Sequence, residues 1–426
     1  MTGRRPFRAI IYAVCSAAVA VAAGAAQAAS HSAILDLNTA VERTLERNPE
    51  LVAMGYSLEA QEGVILQSGQ KPSVQVGLMV ENVLGSGDFS GAQSAETTLT
   101  LFWTLERGKR ERRIDAARSS LSALEADVEI RRLDAAAVTA RLFIEALGMQ
   151  ERLQQVDAAV AAASATAVAV AERVEAGRSP AADLARAEAE QAHIELQRED
   201  YEHMLATAKR QLAAQWGARE IDFMQVSGDI AMLPKPEPYE ALLARVDQNP
   251  DIARYLSEQR LRQAEVRLAE AQTRPNWQLA ASVRRLEQTN DQAFVADIVI
   301  PITNKNFNQG QVAAARARLA MAAADQEAMR LQIETQLFAM YQELQHSLHR
   351  VELLRDTILP RVESALRDTQ RAYEAGRYAY MELRTVQNEV LAARMELVDA
   401  SINAHLFVIE IERLTGTNVV PAAAAL

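Results

Sequence analysis

The sequence predicts a mostly helical chain that carries membrane β-strands and is built from one unit duplicated. Two observations carry this reading. The tetrad Glu175-Ala176-Gly177-Arg178 returns as Glu374-Ala375-Gly376-Arg377, and each copy interrupts a very long, alanine-rich helical pattern. Four stretches of about ten residues alternate apolar and polar side chains with period two, the pattern of a strand with two unlike faces. Composition agrees: aromatics make up only 5% of the 426 residues, which suits long helices better than a large packed α/β core.

Taken in order, the chain opens with Arg4, Arg5 and Arg8, an apolar run from Ala9 to Ala23, and a small-x-small site at Ala26-Gln27-Ala28. Residues 1–28 therefore read as a secretory signal peptide. Cys15 falls inside it, and Val14 before it is not the small residue that a lipidation signal needs. The expected mature chain thus has no cysteine, and with it no disulfide, thiolate metal site or Cys nucleophile. Losing three arginines takes the formal charge from −11 to −14, which speaks against nucleic acid as a partner.

Asn48-Pro49-Glu50 matches Asn249-Pro250-Asp251, Lys71-Pro72-Ser73 matches Arg274-Pro275-Asn276, and Gly217 matches Gly416, at offsets of 201, 203 and 199. One unit has been duplicated, and the expected organisation is 29–216 for the first copy, 217–240 for a linker, 241–416 for the second and 417–426 for a tail. The Pro234-Lys235-Pro236-Glu237-Pro238 run marks the linker.

Each copy begins with a helix that starts at Asn-Pro, where Asn48 can cap and Pro49 can occupy the first turn. Strands are expected at about 73–84 and 94–104, and again at about 276–286 and 292–301. Their apolar positions include Val76, Leu78 and Val80, Leu99 and Leu101, then Leu279, Ala281 and Val283, and Phe294, Ala296 and Ile298. Strands of this length cross an outer membrane when tilted. Polar turns at Gly85-Ser86-Gly87-Asp88 and Gln288-Thr289-Asn290-Asp291 suit hairpin tips in water.

Long helices follow at 109–174 and 306–375. At about 1.5 Å per residue each reaches on the order of 100 Å. Ile114, Ala117, Leu121, Leu124 and Val128 keep coiled-coil spacing, as do Met149, Leu153, Val156 and Val160. A lone Gly is more at home at a helix end than in its interior, so Gly177 and Gly376 read as tips of helical hairpins with almost no loop. Helices return over 181–216 and 377–414. Pro360 should kink the second long helix or be absorbed near its lower end. A returning helix and the helix before the strands nearly match a long helix in summed length, so each long helix can be flanked by two shorter ones in series. Four strands cannot close a barrel, and their edges must be paired by other copies of the chain.

The duplicated unit, the Asn-Pro helix starts, the strand pairs, the long helices and the Gly-bearing tips together resemble the TolC family of outer-membrane efflux proteins, over essentially the whole mature chain. Leu105-Glu106-Arg107-Gly108-Lys109-Arg110 and Ile300-Pro301-Ile302-Thr303-Asn304-Lys305-Asn306 resemble the segments below the strands in its heavy-metal branch, the CzcC-like and CusC-like outer-membrane factors. The sequence departs from that branch at Trp103 and Arg107. The resemblance implies a homotrimer in the Gram-negative outer membrane. Twelve strands, four per chain, would form one barrel continuous with an α-helical coiled-coil tunnel across the periplasm. Its partners would be a periplasmic membrane-fusion adaptor, an inner-membrane pump of the RND type and outer-membrane lipid. The cargo implied is heavy-metal cations, with drugs or a type I secreted protein as the alternative; no cofactor is expected.

The resemblance also implies a pore gate near the tips, which position by position falls on Tyr373, Glu382 and Asp183. The adaptor contacts fall on Gly177, Arg178, Gly376 and Arg377. Each of these acids reads equally as an ordinary solvated helix residue. His346 and His349 lie three apart on one helix and could meet a metal together, but no Asp or Glu completes a site, and the scattered Met residues suit packing. Nothing resembles a catalytic triad, P-loop or dinucleotide fingerprint, and an enzyme is not expected. A periplasmic adaptor would have one hairpin and a lipoyl-like β domain, and a coiled-coil scaffold would not need the alternating strands.

Overall fold

The structure, a computed structural model, describes residues 34–233, 235–302 and 307–416. The expected signal peptide, Pro234 of the linker, Thr303 to Asn306 of the second junction segment and the tail at 417–426 lie outside the described residues. The first half contains β1 (Ile34–Leu35), α1 (Leu37–Arg47), α2 (Pro49–Ser68), β2 (Gln75–Glu81), β3 (Glu96–Leu105), α3 (Lys109–Glu175), α4 (Ala181–Ala214) and β4 (Gln225–Val226). The second contains α5 (Tyr239–Leu243), α6 (Pro250–Gln272), β5 (Trp277–Leu286), β6 (Asp291–Val299), α7 (Gln309–Leu353), α8 (Leu359–Glu374) and α9 (Tyr380–Thr415).

The strands form one antiparallel sheet in the order β2-β3-β5-β6. Its register puts Leu78, Leu99, Val283 and Phe294 in one row and Val76, Leu101, Ala281 and Ala296 in the next. Trp103, Leu279 and Ile298 make a third row on the same face. Every apolar position that the alternation singled out therefore shares a face, and its large side chains, apart from the half-buried Leu279, are exposed in the single chain. The opposite face is mostly polar, with Met79, Phe102, Val295 and Val299 among its polar groups: Thr100 and Ser282 are hydrogen-bonded at 2.9 Å, and Arg284 reaches Thr98 and Glu96, each at 3.0 Å. Hence β2, β3, β5 and β6 have the inside-out polarity of a membrane barrel wall, mainly apolar toward lipid and mainly polar toward the lumen. β2 stops at Glu81, short of the expected residue 84, because Asn82 and Leu84 take positive φ of 58° and 60° and turn the chain.

α3 has 67 residues and is flanked by α4 and, further along, by α2. The flanking pair is joined end to end. Asn48 Oδ1 accepts from the backbone N–H groups of Glu50 and Leu51, capping α2, while its Nδ2 donates to the Gln215 carbonyl just past α4. Asn249 repeats the arrangement: it caps α6 through Asp251 N–H at 2.6 Å and donates to Leu414 O of α9 at 2.7 Å. One amide side chain thus satisfies orphan groups at two helix ends at once. Gly416, with φ +67°, ends α9 where a Cβ would meet Gln248 O at 2.9 Å, so the close stacking of α9 on α6 requires a glycine.

The second long helix is in three pieces, with a π turn at Leu354–Ile358 between α7 and α8. Pro360 has no N–H for the Asp356 carbonyl and its ring would crowd it. The turn widens so that Leu359 N–H bonds Leu354 O instead, a local solution seen in other interrupted helices. The proline is absorbed here, one of the two outcomes its position allowed.

Below the sheet, α1, α3, α4, α9 and the segment around β4 share the largest core, centred on Phe143, Ile144, Leu147, Leu212, Trp216 and Phe223. His405 of α9 is buried beside it, Nε2 3.1 Å from Ile230 O. Burial pushes its pKa below the usual imidazole value, against the opposing pull of the Ile230 carbonyl and Asp229. With the folded value depressed, the unfolded chain binds more protons, so stability falls as the pH drops below about 6.5. Glu412, whose carboxyl burial pushes up to about 8, works in the opposite direction over the same range, so the test is a difference: relative to His405→Gln, whose amide can still donate to Ile230 O, the wild-type thermal midpoint should fall on acidification from pH 7 to 5.

Candidate functional site

The two hairpin tips lie side by side, and both are built by the same backbone device. At the first, Gly177 N–H bonds Val174 O at 2.9 Å and Arg178 N–H bonds Arg173 O at 2.8 Å. At the second, Gly376 N–H bonds Tyr373 O and Arg377 N–H bonds Ala372 O, both at 2.9 Å. These are Schellman pairs, which need a left-handed residue after the helix, and Gly177 and Gly376 supply φ of +66° and +74°. Five residues separate the helices at each tip rather than almost none, because the chain runs extended through Pro180 or Ala379 before the next helix can start. Arg178 and Arg377 are exposed at the end of the molecule.

Tyr373 is buried just behind the tips with Val170, Ala187, Tyr380 and Leu383. Arg173, from the other hairpin, stacks 4.6 Å over its ring and donates to its carbonyl at 2.7 Å. This cation sits at the C-terminus of α8, where it satisfies an end carbonyl and the helix dipole. The Tyr373 hydroxyl faces Ser179 and Asp183 yet makes no hydrogen bond of good geometry among the described residues. Burial raises its pKa, opposed by the Arg173 charge. Tyr373 and Asp183 are therefore brought together, with the Asp183 side chain only 14% exposed.

Glu382 is placed differently. It occupies the duplicate position of Asp183, in the first turn of α9, but is exposed and makes no ion pair or hydrogen bond among the described residues. Behind it Arg384 bridges to Glu190 at 2.7 Å, and Asn388 donates to the same carboxylate at 3.1 Å, tying α9 to α4. Sequence reading missed Arg173, Glu190 and Arg384. None has a motif, and Arg384 falls opposite Ala185 in the other copy; that asymmetry was the only available signal. His346 and His349 are both exposed on α7, and no group of three His, Cys, Asp or Glu among the described residues could hold a metal ion.

The family pattern described as "Outer membrane efflux protein" matches residues 40–218 and again 243–417. Over 382 residues, 90% of each chain, the sequence is 26% identical to the cobalt-zinc-cadmium resistance protein CzcC of Cupriavidus metallidurans. Among solved structures, CusC superposes with a TM-score of 0.74 at 16% identity, over 91% of this chain and 94% of that one. A membrane protein from Pseudomonas aeruginosa gives 0.75 at 18%, over 90% and 94%. The outer membrane protein VceC of Vibrio cholerae gives 0.69 at 20%, over 90% and 96%. At these identities the structures speak for the fold alone, a sheet of strands set on a long helical body.

Proposed function

Because the chain belongs to the outer membrane efflux protein family, we propose that three copies form a passive exit duct across periplasm and outer membrane for heavy-metal cations. The observation that carries the duct is the four-stranded sheet, mainly apolar on one face and mainly polar on the other, with β2 and β6 unpaired at its edges. The helices below it call for the same neighbour. α6 fits between α3 and α7, whereas its duplicate α2 touches α3 and has no buried residue. A second copy that joins its β2 to β6 also brings its α2 against α7, and three such joints close twelve strands into one ring. The duct carries out no chemistry. An inner-membrane pump of the RND type and an adaptor seated on Arg178 and Arg377 at the tips would supply cargo and energy.

The metal cargo rests on the likeness to a cobalt-zinc-cadmium resistance protein. Cells lacking this chain should become sensitive to cobalt, zinc or cadmium. Sensitivity to drugs with unchanged metal tolerance would overturn that cargo. Protein extracted in detergent should have the mass of a trimer and conduct in planar bilayers; a soluble monomer would overturn the duct.

At the tips, Glu382 from each chain would line the constriction, with Tyr373 and Asp183 holding the helix behind it. Removing one charge per chain from a narrow, wet passage removes about 0.5–1 kcal/mol of attraction for a nearby cation per charge. Glu382→Ala should therefore weaken divalent-cation block of single trimers at least about twofold while leaving trimer stability nearly unchanged. Tyr373→Phe should loosen closure if the hydroxyl engages Ser179 or Asp183 in the assembled tip. Unchanged conductance and block in Glu382→Ala would make this residue an ordinary solvated glutamate.

A further inference from the structure

The turn that joins β3 to α3 holds a cationic surface that the duct itself does not explain. Arg107 in this turn places its guanidinium 4.8 Å from the centroid of the Trp277 ring. Trp277 pairs with Leu105 in the sheet and lies on the face that carries Leu279, Ala281 and Val283. Arg107 is thus on the outer, lipid-facing side of the barrel wall, at its periplasmic rim. Trp103 lies one row above on the same face, and tryptophans at such a rim mark the depth of the lipid headgroups.

The junctions between strands and helices are rich in cations in a chain whose overall charge is −11: Lys71, Arg107 and Arg274 stand in the connecting segments and Lys109, Arg110, Arg112 and Arg113 in the first turns of α3, with Glu106, Glu111 and Asp115 among them. Three of the cations are occupied within the fold. Arg110 donates to Gly69 O, Arg112 pairs with Asp115 at 3.2 Å, and Arg113 holds Glu106 and Gln70 O at 3.0 and 3.3 Å. Lys71, Arg107, Lys109 and Arg274 have no ion pair among the described residues. Arg274 reaches the same turn, its Nη1 3.6 Å from the point where a Cβ on Gly108 would stand, with Glu111 Oε2 3.9 Å from that point. The turn also keeps Arg107 at φ +48°, a region that a long side chain seldom occupies and that glycine takes freely. A side chain held there against its backbone preference, and stacked on an aromatic ring, leaves its edge N–H groups free for a planar or tetrahedral anion.

We propose that this rim binds the phosphodiester headgroup of an anionic phospholipid of the periplasmic leaflet, with Arg107 as the anchor and Lys71, Lys109 and Arg274 around it, once per chain. The proposal rests on the sheet spanning the membrane, as the duct reading requires. In the trimer these sites form a collar at the level where the rigid tunnel leaves the bilayer.

The test uses the full-length trimer in nanodiscs that contain phosphatidylglycerol and phosphatidylethanolamine, with co-released lipid counted by native mass spectrometry. Phosphatidylglycerol should be enriched on the wild type, and Arg107→Gly should lower that enrichment about fivefold, the order expected for one cation at a lipid surface. Glycine suits the positive φ, so trimer mass and circular dichroism should survive the change. Lys71→Gln with Arg274→Gln should lower the enrichment further. Equal enrichment in wild type and Arg107→Gly, or displacement of the lipid by millimolar inorganic phosphate, overturns the headgroup site. A trimer that inserts and conducts without lipid preference overturns this proposal alone; failure to insert at all overturns the duct with it.

Discussion

Asn249→Ala is expected to destabilise the protein by about 2–4 kcal/mol, as a lost helix cap and a buried carbonyl left without its donor together imply. Asn249 is fully buried, and both ends of its amide are used, one on Asp251 N–H and the other on Leu414 O. Alanine removes both bonds in the place where α9 abuts α6, so closely that a Cβ on Gly416 would meet Gln248 O at 2.9 Å. Asn249→Asp separates the two contributions. It keeps an acceptor for the cap but sets a carboxylate against the Leu414 carbonyl, so it should recover none of the second term. Arg413, which bridges Asp134 and Asp251 at 2.6 and 2.7 Å, keeps the helices in register and lets the variants fold. The check is the urea midpoint of detergent-solubilised protein. Asn48→Ala should cost less, since Asn48 retains 8% exposure and water can reach its partners. A loss below about 1 kcal/mol in Asn249→Ala would mean that the stacked junction is held by packing rather than by the amide.

Leu101→Arg should prevent stable insertion into the outer membrane. Leu101 sits on the central strand β3, in the middle row of the apolar face, between Val76 and Ala281. Arginine on the lipid face costs about 2–4 kcal/mol at the bilayer midplane and about 0–1 near the interfaces. The change is repeated in every copy of a closed ring, so the penalty recurs with each chain. Thr97→Glu, two rows outward on the same face and opposite Arg285, should be tolerated, since the new charge lies near the interface and meets one of opposite sign. Heat-modifiable trimer in the membrane fraction measures both. Equal insertion of the two variants would show that this face does not meet hydrocarbon.

Much of this fold was legible because its elements are long and strongly periodic. The alternation from Val76 to Val80 needed no tertiary information to be a strand, and the register then placed each of its apolar positions on one face. Asn48-Pro49 and Asn249-Pro250 announced helix starts through chemistry local to each pair. The tips were legible for the same reason, since glycine is the residue that best suits the left-handed position of a Schellman turn. Tyr373 and Asp183 were reached through the family resemblance, and the fold brings them together. Arg173 and Arg384 were not legible, because each finds its partner on an element about 200 residues away.

What the sequence determined by itself was therefore the local geometry: which long segments are helix or strand, where the Asn-Pro helix starts and the glycine tips fall, and that the whole is a duplication. Tertiary structure alone decided how those segments meet. It made Asn48 and Asn249 serve two helices rather than one, set a π turn before Pro360, and drew Asp183 into partial burial while leaving its duplicate Glu382 in solvent. The physical reason is that capping, pleating and glycine turns act within a few residues of chain. Burial and pairing depend on which side chains arrive from elsewhere, and two copies of one motif can receive different neighbours.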